Sequence, residues 1–288
     1  MGKADRTRKQ SARERIAAQQ AAARRAQRRR ALAVAGGSVG LVVVIVAVLV
    51  VFALSRNSER QSGSARLPAS TVRALTSVPA SVLAAVGPGS VLSYNPRPLR
   101  TVSDQPLTSG GKPEMLYVGA EFCPYCAAMR WSMAVALSRF GRFGPLTGIH
   151  SSATDYAPNT PTLTFYRVRY ASRHLAFTPV ENESVTHAAL QPLTGPQQAI
   201  WLKYTSGSYP FIDIGGRYVA TAPMFDPKIL AGLTWAQVAA DLHDPASPVA
   251  RAALGAANYL TAAICSVTGG SPAAVCQAAP IPALRRGL

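Results

Sequence analysis

Residues 115–131 read Met115-Leu116-Tyr117-Val118-Gly119-Ala120-Glu121-Phe122-Cys123-Pro124-Tyr125-Cys126-Ala127-Ala128-Met129-Arg130-Trp131. The first six residues are apolar without polar alternation, which predicts a strand buried on both faces. From Ala127 to Phe140 the chain is rich in Ala, Met, Trp and Leu and meets no breaker before Gly141, which predicts a helix. Strand, tight turn and helix in that order open an α/β unit. The turn carries two thiols three residues apart. Cys123 falls at the helix N-cap, where unpaired backbone N–H groups and the helix dipole stabilise a thiolate. Pro124 suits the first helical position, where its missing N–H costs nothing. Cys126 lies a turn deeper and is shielded. An exposed attacking thiol with a resolving thiol behind it is what thiol–disulfide exchange needs.

Two other readings of the pair stay open. A single C-x-x-C is half a zinc site, but no second one follows and His150, His174, His187 and His243 are scattered, so no metal is expected. An inert structural disulfide is the stronger rival, because it suits an oxidising compartment.

Outward from this stretch, the upstream chain decides the compartment. Residues 31–54 form an uncharged apolar run, long enough as a helix to cross a hydrocarbon core of ~30 Å. Residues 1–30 carry eleven Lys/Arg against Asp5 and Glu14, so they supply +9 of the formal +17. The positive-inside bias then keeps the basic tail cytoplasmic and places residues 55–288 outside the membrane. A cleaved signal peptide is the rival, but its apolar core runs only about 7–15 residues. No aromatic is interleaved with the tail arginines, so nucleic acid is not an expected partner; the tail reads as a solvated topogenic segment, with lipid headgroups as its nearest contact. With 48% apolar residues and four cysteines in 288, wholesale disorder and a disulfide-knotted miniprotein are both excluded.

Residues 55–69 read as a linker and 70–288 as the outer domain. Thr71–Val86 predicts an amphipathic helix broken at Pro79, and residues 87–112 a loop. A strand is expected at 145–149, a β-hairpin at 163–170 and 174–180, and a helix at 195–204. A strand–turn–strand unit is expected at 211–220, with Gly215-Gly216 supplying positive φ at the turn. Helices at 235–242 and 249–267 close the chain.

Tyr209-Pro210-Phe211-Ile212-Asp213-Ile214-Gly215-Gly216 has the arrangement of the proline that thioredoxin-like folds hold, in cis, opposite their active cysteines. In that reading Tyr209 offers its backbone groups to an extended peptide, with Pro124 and Tyr125 completing the contact surface. Tyr117–Trp131, Phe165–Phe177, the segment from Pro210 and the C-terminal cysteine stretch together resemble the membrane-anchored thioredoxin-like family known as domain of unknown function 929, found in actinobacteria and some archaea. Cys-Pro-Tyr-Cys is also similar to the glutaredoxin motif. The resemblance spans about residues 70–280. It implies an α/β, thioredoxin-like three-layer sandwich with a central mixed sheet, and a redox role.

Two departures qualify this. Thioredoxins carry a buried carboxylate six residues before the first cysteine, where this chain has Tyr117, although Glu121 is nearer. Cys126 and Pro210 are also 84 positions apart, so the hairpin near 163–180 is expected as an insertion, a candidate lid or docking surface, and the last helices as a C-terminal extension. Cys265 and Cys276 flank a Gly-Gly-Ser-Pro turn. They read as a structural disulfide, with a second redox pair that relays electrons as the alternative. The expected function is a membrane-anchored oxidoreductase, without cofactor, acting on cysteine-containing envelope or secreted proteins, with a membrane redox partner as a further candidate. The alternative is a non-catalytic binding or assembly module for a membrane partner.

Overall fold

The computed structural model describes residues 64–288. The basic tail (1–30), the expected span (31–54) and linker residues 55–63 lie outside the described residues. Among the described residues no single helix is long and apolar enough to cross a membrane.

In chain order the elements are β1 (Ala65–Arg66), α1 (Ala69–Thr76), α2 (Ala80–Val86), α3 (Val91–Tyr94), β2 (Arg100–Thr101), β3 (Thr108–Ser109), β4 (Lys112–Gly119), α4 (Pro124–Ser138), β5 (Gly141–Phe143), β6 (Thr147–His150) and β7 (Pro161–Thr164). There follow β8 (Tyr170–Ser172), β9 (Ala176–Glu181), α5 (Gly195–Thr205), β10 (Phe211–Ile214), β11 (Tyr218–Ala220), α6 (Trp235–Asp241), α7 (Pro248–Val267), α8 (Ala273–Cys276) and α9 (Ile281–Arg286). The break between α1 and α2 falls at Pro79, as the sequence predicts. The 87–112 segment is not all loop, because it contributes α3, β2 and β3. The linker also ends earlier than expected. Ala65 and Arg66 pair with β6, the Leu67 amide bonds Leu146 O at 3.0 Å, and the Leu67 side chain enters the core.

The central sheet is mixed, and β4 is its middle. On one side β10 runs antiparallel to it, with Phe211 opposite Val118, and continues through β11 to β2. On the other side β9 runs parallel, with Met115 opposite Phe177 and Gly119 opposite Glu181. The buried run 115–119 is apolar because both faces of this strand are covered. Gly215 and Gly216 both take φ of 68° in the β10–β11 turn, a region that side chains rarely adopt.

The expected hairpin at 163–180 does not form. Its first half, β7, pairs with β6 in a separate three-stranded sheet, β1–β6–β7. Its second half, β9, joins β4 in the central sheet, and β8 between them pairs with β5. The segment Phe165–Arg169, with Arg167 at φ 54°, is no tight hairpin turn, and it sends the chain back to the end of α4. A parallel neighbour needs a crossover, and α4 is the helix within it. Residues 163–180 are therefore part of the fold's frame and neither an insertion nor a lid.

Helix α4 is buried from Cys126 to Leu137. Trp131 Nε1 bonds Pro161 O at 2.9 Å and Thr162 Oγ1 bonds Ala127 O at 2.8 Å, fixing the β6–β7 sheet to it. Helix α7 packs along α4 and is buried from Val249 to Cys265 except at Arg251. A helix apolar on every face belongs inside, so the C-terminal helices complete the core rather than extend it. Asn258 Nδ2 bonds the carbonyls of Leu83 and Gly87 and ties α2 to α7.

A disulfide joins Cys265 at the end of α7 to Cys276 of α8, 11 residues apart. Replacing both by Ala is expected to lower unfolding free energy by about 2–3 kcal/mol, from the loop entropy returned to the unfolded chain. Guanidinium unfolding without reductant measures it. An unchanged midpoint would show that the bridge does not hold the C-terminus.

Candidate active site

Strand β4 ends at Gly119, and the turn 120–122 delivers Cys123 to the N-cap of α4, where φ is −72° and ψ 119°. Its sulfur accepts the Cys126 N–H at 3.3 Å. Pro124 takes the first helical position as expected, so no amide there lacks a partner. The Cys123 residue is 5% exposed and Cys126 0%, and neither is in a disulfide. Cys123 is thus less open than the exposed thiol the sequence leads one to expect, although it is the outer of the two.

The electrostatics separate the two sulfurs. The Cys126 thiol donating to Cys123 is the main force holding the Cys123 thiol below its ordinary range, burial opposes it, and the Cys126 and Tyr125 amides and the Arg130 charge add to the lowering. Burial pushes the Cys126 thiol well up, and proximity to Cys123 pushes it further. The proton therefore stays on the inner sulfur while the outer one ionises.

Tyr209 packs against this pair together with Phe122 and Tyr125. The register of β10 on β4 brings Pro210 beside Gly119, and the Tyr209–Pro210 bond is cis. All the residues singled out around the C-x-x-C thus meet in one place: Cys123, Cys126, Pro124, Tyr125, Tyr209 and Pro210. Cys265 and Cys276, bonded to each other, lie apart from it.

Further residues complete the site, and of these Arg130, Glu181, Asn182, Glu183, Tyr156 and Lys228 carry no role in the sequence reading. Arg130 and Glu181 form a wholly buried bidentate pair, Nε to Oε1 at 2.8 Å and Nη2 to Oε2 at 2.7 Å. Arg130 Nη2 also bonds Ala120 O at 2.7 Å. The Tyr117 hydroxyl is fully buried and interacts with the Cys126 thiol, and a Cβ at Gly119 would run into it. Tyr209 Oη accepts from Asn182 Nδ2 at 2.5 Å and donates to Glu183 Oε1 at 3.1 Å. His187 lies over Phe122, with ring centroids 3.9 Å apart. On the other side Tyr125 stacks on Tyr156, whose ring also carries Lys228 Nζ at 3.9 Å. Glu121 accepts from Thr164 Oγ1 at 2.6 Å, and burial raises its carboxyl above the ordinary range.

The rim of the thiol pair is thus an aromatic surface. Clefts of about 780 Å³ beside Leu67 and α1, and of about 410 Å³ beside Arg217 and Arg285, are lined by none of these residues. Among the described residues no group of three or more His, Cys, Asp or Glu side chains could hold a metal ion.

The family model for a domain of unknown function (DUF929) matches residues 98–266. The chain belongs to this family. The DUF929 region is shorter than the resemblance read from the sequence. It takes in the cysteine pair, Arg130, Glu181, Tyr209 and Pro210, and ends just after Cys265, short of Cys276. No curated protein and no solved structure matches the chain.

Proposed function

We propose that this DUF929 protein is a membrane-anchored thiol–disulfide oxidoreductase of thioredoxin-like build, acting outside the membrane on cysteine-containing envelope or secreted proteins. One observation carries the reading: the Cys123 sulfur caps α4 by accepting the Cys126 N–H, with the Cys126 sulfur shielded behind it. The parallel β4–α4–β9 unit and the antiparallel β10–β11 pair that follows support the thioredoxin-like build. The uncharged run 31–54 and the basic residues before it support the anchor and its orientation.

The chemistry is two sequential displacements at sulfur. The Cys123 thiolate attacks one sulfur of a substrate disulfide, and the substrate's other sulfur leaves as a thiolate. That thiolate takes the proton that Cys126 gives up, directly or through water. The Cys126 sulfur then attacks Cys123, closing the intramolecular disulfide and releasing the second substrate sulfur, which is protonated from water. Two electrons pass from the pair to the substrate, and the reverse sequence passes them back.

Alkylation of the reduced full-length chain tests this. Cys123 is expected to react with a pH midpoint below the free-thiol value of about 8.5, because its folded-state thiol is lowered and ionises earlier as pH rises. Cys126 should resist the reagent until the chain is unfolded. If neither thiol reacts in the folded chain, the reading fails. The 5% exposure of Cys123 then favours a thioredoxin-shaped binding module for a membrane partner.

A further inference from the structure

Cys123, Cys126 and Arg130 follow one another at positions that share a helix face. A long side chain on a helix leans towards its N-terminus, and the bond from Arg130 Nη2 to Ala120 O shows that this one does. Ala120 packs with Cys123 and Cys126 in one small cluster, so the guanidinium lies beneath the two sulfurs. Its Nε and Nη2 are occupied by Glu181 and Ala120. Its Nη1 is buried with no hydrogen-bond partner among the described residues. A buried donor left unpaired costs about 1–3 kcal/mol, so a structural ion pair alone accounts poorly for an arginine here.

We propose that Arg130 is a positioning residue for the exchange reaction: its guanidinium stabilises the negative charge that moves between Cys123 and Cys126, and Glu181 limits how much of the guanidinium's charge the sulfurs feel. This rests on the oxidoreductase reading and supplies what the missing buried carboxylate leaves open. Cys126 needs no dedicated base if its thiolate is stabilised as it forms. The other groups facing the sulfurs are Tyr117 from β4, Tyr209 from the start of β10, and Tyr125 beside the pair, while Glu121 faces the Arg130–Glu181 pair. The tyrosines keep their protons, since burial raises all three. Arg130 is therefore the fixed cation of the group. Its charge favours the ionised form of both thiols.

Two variants of the full-length chain in detergent should move in opposite directions. Glu181→Gln keeps the guanidinium and removes its counter-charge. The Cys123 thiolate should then form at lower pH, and the equilibrium with glutathione should shift about tenfold towards the reduced pair, the change that one pKa unit carries. Arg130→Met combined with Glu181→Gln removes both charges and should shift thiolate formation and the glutathione equilibrium about tenfold the other way. Arg130→Lys should retain most of the parent behaviour. Opposite shifts support the proposal. Shifts of the same sign, or none, overturn it, as would Arg130→Lys behaving like the neutral pair. Should one variant fail to fold, the remaining two decide by the same signs. Thiolate titration is independent of any partner, so failure of the oxidoreductase reading, seen as no partner trapped in cells, is distinguishable from failure of this proposal.

Discussion

Cells producing the chain with Cys126→Ser are expected to accumulate envelope proteins joined to Cys123 through mixed disulfides, and cells producing Cys123→Ser to accumulate about tenfold fewer. The asymmetry follows from the positions of the two sulfurs. Cys123 caps α4 and meets the aromatic rim, so in the proposed reaction it would make the first attack whether or not Cys126 is present. Cys126 is wholly buried and reaches only a disulfide already formed on Cys123. Removing it leaves the first displacement intact and the second without a nucleophile. One cost goes with the substitution: the Cys126 thiol is the main support of the Cys123 thiolate. Trapping should therefore be slower than the parent's first step, yet persistent. Non-reducing electrophoresis after acid quenching, with mass mapping of the captured cysteines, reads the result. Equal capture by both variants would mean that the order of attack is wrong. Capture by neither would remove the oxidoreductase reading.

Arg130→Met on its own should destabilise the fold by about 3–5 kcal/mol, because it removes the ion-pair partner of the buried Glu181. The cost should fall to about 1–2 kcal/mol when Glu181→Gln is added, since a neutral pair of similar shape removes the stranded charge. Glutamine also keeps an oxygen to accept the Phe165 N–H that Glu181 now accepts at 3.1 Å. Guanidinium unfolding of the single and double variants measures the difference. If the double variant is no more stable than the single, the loss is one of packing around α4 and charge is not its source.

The thiol pair and its strand–turn–helix setting were legible because they are local. An unbroken apolar run, a capping cysteine, a proline at the first helical position and an alanine-rich stretch each act within a few residues. The β10–β11 turn was legible for the same reason, through two adjacent glycines. What failed was non-local pairing. The alternation in 163–180 marks strand at 163–164 and 176–180 but not at 165–169, and alternation does not name a strand's partner, so β7 and β9 belong to different sheets. The Arg130–Glu181 pair was hidden by its separation of 51 positions. One signal did exist: Arg130 is the one charged residue between Glu121 and Arg139. A charge alone on a helix otherwise bound for the interior needs a partner, and that alone pointed to a carboxylate elsewhere in the chain. Tyr117 was noticed as the absence of an acid. Its contact with Cys126 depends on the space at Gly119, which only the folded backbone reveals.

Helix α4 is buried along its length, packed on α7, β7, α1 and β5 and sharing one core with the apolar side chains of the central sheet. A cylinder gripped on every side cannot roll to bring its second sulfur outward, and interiors packed this closely do not yield by degrees. The travel needed to complete an exchange must then come from the visiting polypeptide. A cysteine on a slack surface segment can follow the reaction inward, whereas one pinned in a rigid element would stall after the first bond. If the proposed exchange operates here, partners would be sorted by pliancy more than by sequence, with chains not yet fully folded accepted ahead of finished ones.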